Sequence, residues 1–237
     1  MFKKYNGKIM DWLEYSDLLN KEWSSILNNE NVSEKEIQNF LEKNPCMLPG
    51  AFGIMSPSGH YPFPNALIAQ PPLPTFTRKI PDFMWISIDS GTIRPILIEI
   101  ETPNKKWGTK DGNFRSNFIK AWGQLAQWRS WFGTDGNISN FKKYYKLPNE
   151  IYDKPVKPFY VLIYGRKSEL EKNEEVNLKR INQKREDEEL MTFDRLKPQK
   201  DCSELMCVKL KKEGFKAVSV PPTFKIIPDM NEYLTLI

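Results

Sequence analysis

An apolar run interrupted by two acids constrains the fold more than any other stretch of this chain. Residues 93–101 read IRPILIEIE, and residues 82–89, DFMWISID, precede them across the turn-forming pair Ser90-Gly91. Two such runs on either side of a short turn predict an antiparallel β-hairpin. Because residues i and i+2 of a strand share a face, Glu99 and Glu101 should point the same way, opposite to the intervening isoleucines.

The rest of the chain alternates between helical and extended patterns. Apolar spacing and the Ser33-x-x-Glu36 capping box predict helices at 9–28, 33–44, 113–132, 168–187 and around Ser203–Lys211. Further strands are predicted at 65–70, 157–165 and 189–194. This order favours an α/β fold with a mixed central sheet flanked by helices. We expect an N-terminal helical extension (1–32), a core (33–200) and a C-terminal extension packed on the core (201–237).

Composition excludes several classes of protein. Hydrophobic residues make up 40% of the 237 residues, which is typical of a folded chain. No apolar run approaches the roughly 20 residues that cross a bilayer, and no signal peptide is evident, so we expect a cytoplasmic protein without a membrane partner. His60 is the only histidine, which argues against a Ser-His-Asp triad or a multi-histidine zinc site. Any catalysis would therefore depend on carboxylates and lysines, with or without a metal.

The acids of the predicted hairpin are the candidate metal ligands. An unpaired ionised carboxylate is very unfavourable inside a protein, so Asp82, Glu99 and Glu101 need partners. A divalent cation suits them, because hard cations prefer oxygen ligands, and such an ion can activate water at a phosphate. Alternatively, Asp82 merely starts a strand and Glu101 pairs with Lys105 or Lys106.

A basic stretch follows the hairpin and suits a polyanion such as DNA. Between positions 105 and 120 five basic residues face a single acid, Asp111. The candidate DNA-binding residues are Lys105, Lys106, Lys110, Arg115 and Lys120, interleaved with the aromatics Trp107, Phe114 and Trp122. Arg166 and Lys167 follow a predicted strand, where they would contact a phosphate backbone or only balance local charge. The alternative for the whole stretch is an ordinary solvated face.

These features together resemble a known nuclease core. PDF followed by ILIEIE is similar to the PD-(D/E)xK pattern, and the chain resembles the nuclease domain of the Shedu family of bacterial anti-phage defence proteins. The resembling pieces are EKEIQNFLEKNPCML (34–48), PDFMW (81–85), LIEIETP (97–103), QLAQW (124–128), and FYVLIYGRKSEL (159–170) with ELMTFDRL (189–196). The resemblance implies a restriction-endonuclease-like core and Mg²⁺- or Mn²⁺-dependent nicking or cleavage of DNA. It also implies self-association into a homo-oligomer and leaves room for another defence-system protein as partner.

The family pattern also suggests roles for individual residues. Asp82 and Glu99 match the metal-binding acids, and Gln124 matches a glutamine on the helix after the strands. Glu36 matches an acid of the first core helix, with Glu42 as its rival. Independently, the helical spacing places Gln124 about 80° from the centre of the apolar stripe, at the edge of the buried face. The alternative for Gln124 is an ordinary surface glutamine.

One position departs from the pattern, because Glu101 stands where the nuclease motif has lysine. Three explanations compete. Glu101 is a further metal ligand and Lys105, Lys106 or Lys120 supplies the positive charge, or the site uses a metal without any lysine. In the third explanation the chain keeps the fold but has lost or reduced cleavage. The last reading describes a nuclease-fold protein that binds DNA or a partner chain without cutting. A purely structural or protein-interaction domain is a third possibility.

Overall fold

The structure, a computed structural model, describes residues 9–54, 62–74 and 80–224. His60 lies outside these ranges. The strands are β1 Phe63–Ala69, β2 Phe83–Ile88, β3 Ile93–Ile100, β4 Phe159–Ile163, β5 Glu188–Met191, β6 Met206–Lys211 and β7 Gly214–Ser219. The helices are α1 Trp12–Asn28, α2 Glu34–Lys43, α3 Ser116–Phe132, α4 Asn137–Tyr144, α5 Asn149–Tyr152, α6 Lys167–Glu171 and α7 Glu174–Gln183. No helix of the described ranges has the length and apolar character needed to span a membrane.

The strands form one seven-stranded mixed sheet in the order β5-β4-β3-β2-β1-β6-β7. β2 runs antiparallel to both β1 and β3, whereas β4 and β5 continue parallel to β3. On the other side β6 lies parallel to β1 and forms a hairpin with β7. The prediction of an α/β fold with a mixed sheet is thus confirmed, as is the hairpin of β2 and β3.

Helices cover both faces of the sheet, because the inner strands carry apolar side chains on both sides. α1 and α2 pack on one face, where Trp23 stacks on Phe40 and both belong to the same core as Trp85. α3 and α4 pack on the other face, where Trp128 and Phe141 meet the side chains of β2, β3 and β4. The capping box of α2 is present as predicted, with Ser33 and Glu36 satisfying each other's backbone N–H groups.

The predicted helix around Ser203–Lys211 is wrong, since Met206–Lys211 is strand β6. Its side chains alternate between the two cores: Met206 and Val208 enter one and Cys207 the other. Gly214 begins β7 with a φ of +118°, a conformation that glycine adopts without strain, and so permits the tight turn. Pairing with β1 in the sheet therefore outweighs the helical spacing of the local sequence.

The charged segment 168–187, predicted as one helix, is two. α6 ends at Glu171, and α7 begins after Asn173, whose side chain accepts a hydrogen bond from the backbone N–H of Val176. An asparagine at this position favours a new helix start, because its oxygen satisfies an otherwise unpaired donor of the first turn.

Candidate functional site

The candidate acids meet at one edge of the sheet because of the strand directions. β3 and β4 run parallel and both end there, whereas β2 runs the opposite way and begins there. Phe83 pairs with Ile98, so Asp82, which precedes Phe83, lies beside the last residues of β3. Sheet edges of this kind, where strand ends meet loops, are where open α/β folds place their sites.

Asp82 and Glu99 are in direct contact at this edge. The backbone N–H of Ile100 donates a 2.9 Å hydrogen bond to Oδ2 of Asp82, and Glu99 shares a hydrogen bond with the same carboxyl group. Glu99 is only 8% exposed. Burial raises the pKa of Asp82 to about 7. The Ile100 hydrogen bond opposes this rise, and two further acids of α2 add to it.

One face of α2 carries those two acids. Glu34, Gln38 and Glu42 follow one another at intervals of four residues, so successive side chains are about 40° apart around the helix. The negative charges of Glu34 and Glu42 both raise the pKa of Asp82. Glu42 is buried, and Gln38 Nε2 donates a 3.4 Å hydrogen bond to its Oε1. The α2 side of the site therefore adds negative charge to the Asp82–Glu99 pair.

Glu36 lies on another side of α2, about 160° around the helix from Gln38. Its Oε2 accepts hydrogen bonds from the backbone N–H of Ser33 at 2.8 Å and from its hydroxyl at 2.7 Å. These bonds hold the pKa of Glu36 below its usual value. Glu36 is thus engaged in the capping box. Glu42, the alternative acid, lies on the side of α2 from which it acts on Asp82.

Glu101 is held by a lysine. Its backbone N–H donates to the carbonyl of Ile163 at 3.0 Å, which extends the pairing of β3 with β4 by one residue. Its carboxylate, 12% exposed, forms an ion pair with Nζ of Lys105. The structure therefore shows the pairing of Glu101 with Lys105 that the sequence left as an alternative, and it brings a positive charge to the motif-lysine position.

Gln124 is 4% exposed on α3, among Ala121, Leu125 and Trp128 of the core. The alternative of an ordinary surface glutamine is therefore wrong. α3 packs against β4, and Glu99 and Leu97 of the neighbouring β3 alternate with the isoleucines that face α2. Glu99 and Gln124 consequently belong to the same side of the sheet.

Of the seven predicted DNA-binding residues, Lys105 is paired with Glu101, five are exposed, and Arg166 is engaged within the fold. Lys106, Lys110, Arg115, Lys120 and Lys167 are exposed. Arg166 instead pairs with Asp194 at 2.9 Å and donates from Nη1 to the carbonyl of Leu27, so it ties α1 to the strand ends. Of the interleaved aromatics, Trp107 is fully buried in the core, whereas Phe114 and Trp122 are partly buried and pack against the same core.

Sequence reasoning missed a lysine of β6. Lys209 Nζ lies 3.2 Å from Oε1 of Glu42 and forms an ion pair with it. Nothing in the local sequence around Lys209 signals this contact, because it depends on β6 joining the sheet beside β1. The side of α2 carrying Gln38 and Glu42 could have been found from their spacing of four residues.

The site suits a cation held by few protein ligands. Among residues 9–54, 62–74 and 80–224, no group of three or more carboxylate, histidine or cysteine side chains is arranged to hold a metal. Glu101 is held by Lys105 and does not join Asp82 and Glu99 in such a group. Two adjacent carboxylates nevertheless fit Mg²⁺, which commonly takes one or two carboxylates and completes its shell with water and phosphate oxygens.

The chain was compared with known proteins. Residues 31–196 match the sequence model of the family described as Shedu protein SduA, C-terminal. The match covers more than half of the chain and includes Asp82, Glu99 and Gln124, whereas β6 and β7 lie beyond it. A search of curated proteins gave no match.

Proposed function

Because this chain belongs to the Shedu SduA C-terminal family, we propose that it is a metal-dependent DNA endonuclease of anti-phage defence, nicking or cleaving phosphodiester bonds. The observation that carries the proposal is the contact between Asp82 and Glu99 where β2 begins and β3 ends. The negative charges of Glu34 and Glu42 on α2 act on the same site. Family membership supports the defence role, and the acid pair supports the chemistry. The fold we propose for the core is restriction-endonuclease-like.

Asp82 and Glu99 are the proposed ligands of Mg²⁺ or Mn²⁺. When bound there, such an ion supplies an activated water and stabilises negative charge on the phosphate. The hydrogen bond from Ile100 fixes one oxygen of Asp82 and leaves the carboxyl group oriented toward Glu99. Glu42 increases the negative potential that attracts the cation and takes the place of Glu36 in the proposed site.

Lys105 is the proposed substitute for the motif lysine. Glu101 occupies the motif position and holds the ammonium group of Lys105 there through their ion pair. A positive charge at this point would stabilise the charge that develops on the phosphate oxygens. The buried amide of Gln124 would orient a water or phosphate oxygen on the α3 side of the pair.

DNA would approach over the exposed basic residues Lys106, Lys110, Arg115, Lys120 and Lys167. Contacts of lysine and arginine with phosphates position a duplex without reading its sequence. We also propose that the protein self-associates, so that two sites can act on one DNA.

A second candidate function follows from the same Glu101–Lys105 pair. If the pair only neutralises the motif position, the chain is a nuclease-fold protein that binds DNA or a partner without cutting it. This alternative predicts DNA binding that weakens steeply with salt and no calorimetric binding of Mn²⁺.

The test is cleavage of linear and supercoiled DNA with Mg²⁺, with Mn²⁺ and with chelator. We expect activity with metal that is lost in Asp82→Ala and in Glu99→Ala. A matched pair on α2 tests the choice of acid: Glu42→Gln should reduce cleavage, whereas Glu36→Gln, which keeps a residue suited to the capping box, should not. Activity that survives both Asp82→Ala and Glu99→Ala would refute the site.

A further inference from the structure

The hairpin of β6 and β7 lies beyond the residues that match the family, yet it touches the acid-bearing helix in two places. Lys209 on β6 pairs with the carboxylate of Glu42 at 3.2 Å. Ser219, at the end of β7, donates its hydroxyl hydrogen to the backbone carbonyl of Glu42. One residue of α2 is thus held by both strands of the hairpin.

The register of the sheet explains how Lys209 reaches the site. Cys207 belongs to the same core layer as Ile37 and Leu41 of α2, and Lys209, two residues further along β6, points to the same side. Ile68 pairs with Val208, so Lys209 lies beside Ala69, and Ala69 pairs with Phe83. Lys209 is therefore two strands, about 10 Å, from the start of β2.

Lys209 supplies the positive charge that the largely buried Glu42 carboxylate needs. The carboxylate side chain of Glu42 is only 10% exposed, and an ionised group so far from water needs a partner. Gln38 supplies one long hydrogen bond of 3.4 Å, which is weak. Lys209 is itself only 25% exposed, so its ammonium group faces the carboxylate from a partly buried position.

We propose that Lys209 is a positioning residue of the site: it holds the Glu42 carboxylate beside the Asp82–Glu99 pair, so that the hairpin beyond the family match completes the nuclease site. The inference rests on the proposed function for its catalytic consequence. It adds a residue that the family match does not contain, and it assigns a role to the last two strands of the sheet.

The matched control is Lys216. It lies directly across from Lys209 in the hairpin, but it is exposed and pairs with Glu213 at 3.0 Å. Lys216→Met removes the same charge from the same hairpin without touching Glu42. Lys209→Arg is the conservative variant, because an arginine can still pair with the carboxylate.

The first experiment compares DNA cleavage and Mn²⁺ binding of the full chain. We expect Lys209→Met to lower kcat by about tenfold, Lys209→Arg to recover most of it, and Lys216→Met to match the wild type. In a Glu42→Gln background, Lys209→Met should cause no further loss, because the lysine acts through that carboxylate. Calorimetric Mn²⁺ affinity of Lys209→Met should not weaken, since a positive charge is removed near the cation, whereas a folding defect would weaken it.

The second experiment needs neither metal nor DNA. A double-mutant cycle of Lys209→Met and Glu42→Gln, measured by urea unfolding in chelator, should show coupling of about threefold or more in the unfolding equilibrium constant. If the wild type neither binds Mn²⁺ nor cuts DNA, the proposed function fails and this cycle alone decides the positioning. Additive effects in both cycles, or a Lys209→Met variant identical to Lys216→Met, would overturn the inference.

Discussion

The backbone N–H of Ile100, the last residue of β3, donates a 2.9 Å hydrogen bond to the carboxylate of Asp82, which precedes β2. Two adjacent strands are thus joined at their site end by a side chain, where the regular ladder stops. The same bond aims Asp82 at Glu99, and it does so against the cost of burying a carboxyl group among other acids.

That cost makes stability depend on pH. The pKa of Asp82 rises from 3.8 to about 7 on folding, chiefly through burial. A raised pKa favours the protonated carboxyl group in the folded state. The contribution of Asp82 to the free energy of unfolding is therefore fully present below pH 3.8 and is lost as the pH rises toward 7. In metal-free buffer, the stability of Asp82→Asn relative to that of the wild type should therefore increase by about 1–3 kcal/mol when the pH is raised from 5 to 8. Thermal melts in chelator at both pH values measure the difference.

Two controls accompany the pH series. Asp111→Asn replaces an exposed acid and should follow the wild type at every pH. Added Mg²⁺ at pH 8 should raise the melting temperature of the wild type but not that of Asp82→Asn, because binding to the folded state alone stabilises it. If the melting temperatures of wild type and Asp82→Asn differ by the same amount at pH 5 and at pH 8, the assignment is wrong.

Lys105 should contribute to turnover, not only to DNA binding. Because its ammonium group is held at the motif position by Glu101, Lys105→Met should lower kcat by about 10- to 100-fold. Lys110→Met, a change at an exposed residue of the same basic stretch, should mainly raise KM. Steady-state cleavage of a labelled duplex separates the two effects.

A charge rearrangement sharpens the same test. Glu101→Lys alone should lose activity, because two ammonium groups would then repel each other at one position. The double variant Glu101→Lys/Lys105→Gln places a single positive charge at the motif position and should cleave faster than Glu101→Lys. Equal activity of Glu101→Lys, Glu101→Lys/Lys105→Gln and the wild type would exclude a role for this pair in the chemistry.

Local features of this fold can be read from sequence, because their physics is local. The Ser33–Glu36 capping box involves residues three apart, and its signature is visible in the sequence. The hairpin of β2 and β3 likewise follows from two apolar runs and a short turn. The same capping box, however, engages the Glu36 carboxylate in hydrogen bonds to Ser33, a consequence that a family pattern alone does not show.

Features that depend on tertiary pairing are harder to predict. Glu42 matters because of the side of α2 that faces the strand ends, and Lys209 matters because β6 lies beside β1. Residues 206–211 have both helical and alternating spacing, and only their place in the sheet decides between them. The candidate acid pair, and Glu42 as an alternative acid, could thus be predicted from sequence, whereas the ion pair of Lys209 with Glu42 could not.

Arg129 should be a major source of stability away from the site. Its guanidinium group bonds to Asp187 at 2.7 and 2.9 Å and to Glu188 at 2.7 Å, and lies 4.7 Å from the ring centre of Tyr160. Glu188 is only 1% exposed, so Arg129→Ala would leave a buried carboxylate without its countercharge. We expect a loss of about 2–4 kcal/mol in urea unfolding.

The control for Arg129 is Arg195→Ala. Arg195 pairs with Glu189 near the same strand, but its side chain is 55% exposed, so the loss should stay below about 1 kcal/mol. Arg129→Ala/Glu188→Gln, which removes the buried charge as well, should recover part of the stability. A loss for Arg129→Ala no larger than that for Arg195→Ala would show that the network contributes little.

Gly165 should be needed to hold the loop that carries Lys105. It has a φ of +55°, and a Cβ there would lie 2.7 Å from the carbonyl oxygen of Lys105 and 2.6 Å from Nε1 of Trp107. Both distances are too short, so Gly165→Ala should displace the loop, destabilise the protein by about 2 kcal/mol or more and reduce cleavage.

Gly123→Ala is the matched control. This glycine lies within α3, and a Cβ added to it would have no atom within 4 Å, so alanine should stabilise the helix by about 0.5–1 kcal/mol. Urea unfolding and cleavage rates of both variants test the pair, and a Gly165→Ala variant with wild-type stability and turnover would show that the approach of the loop to β4 is not required.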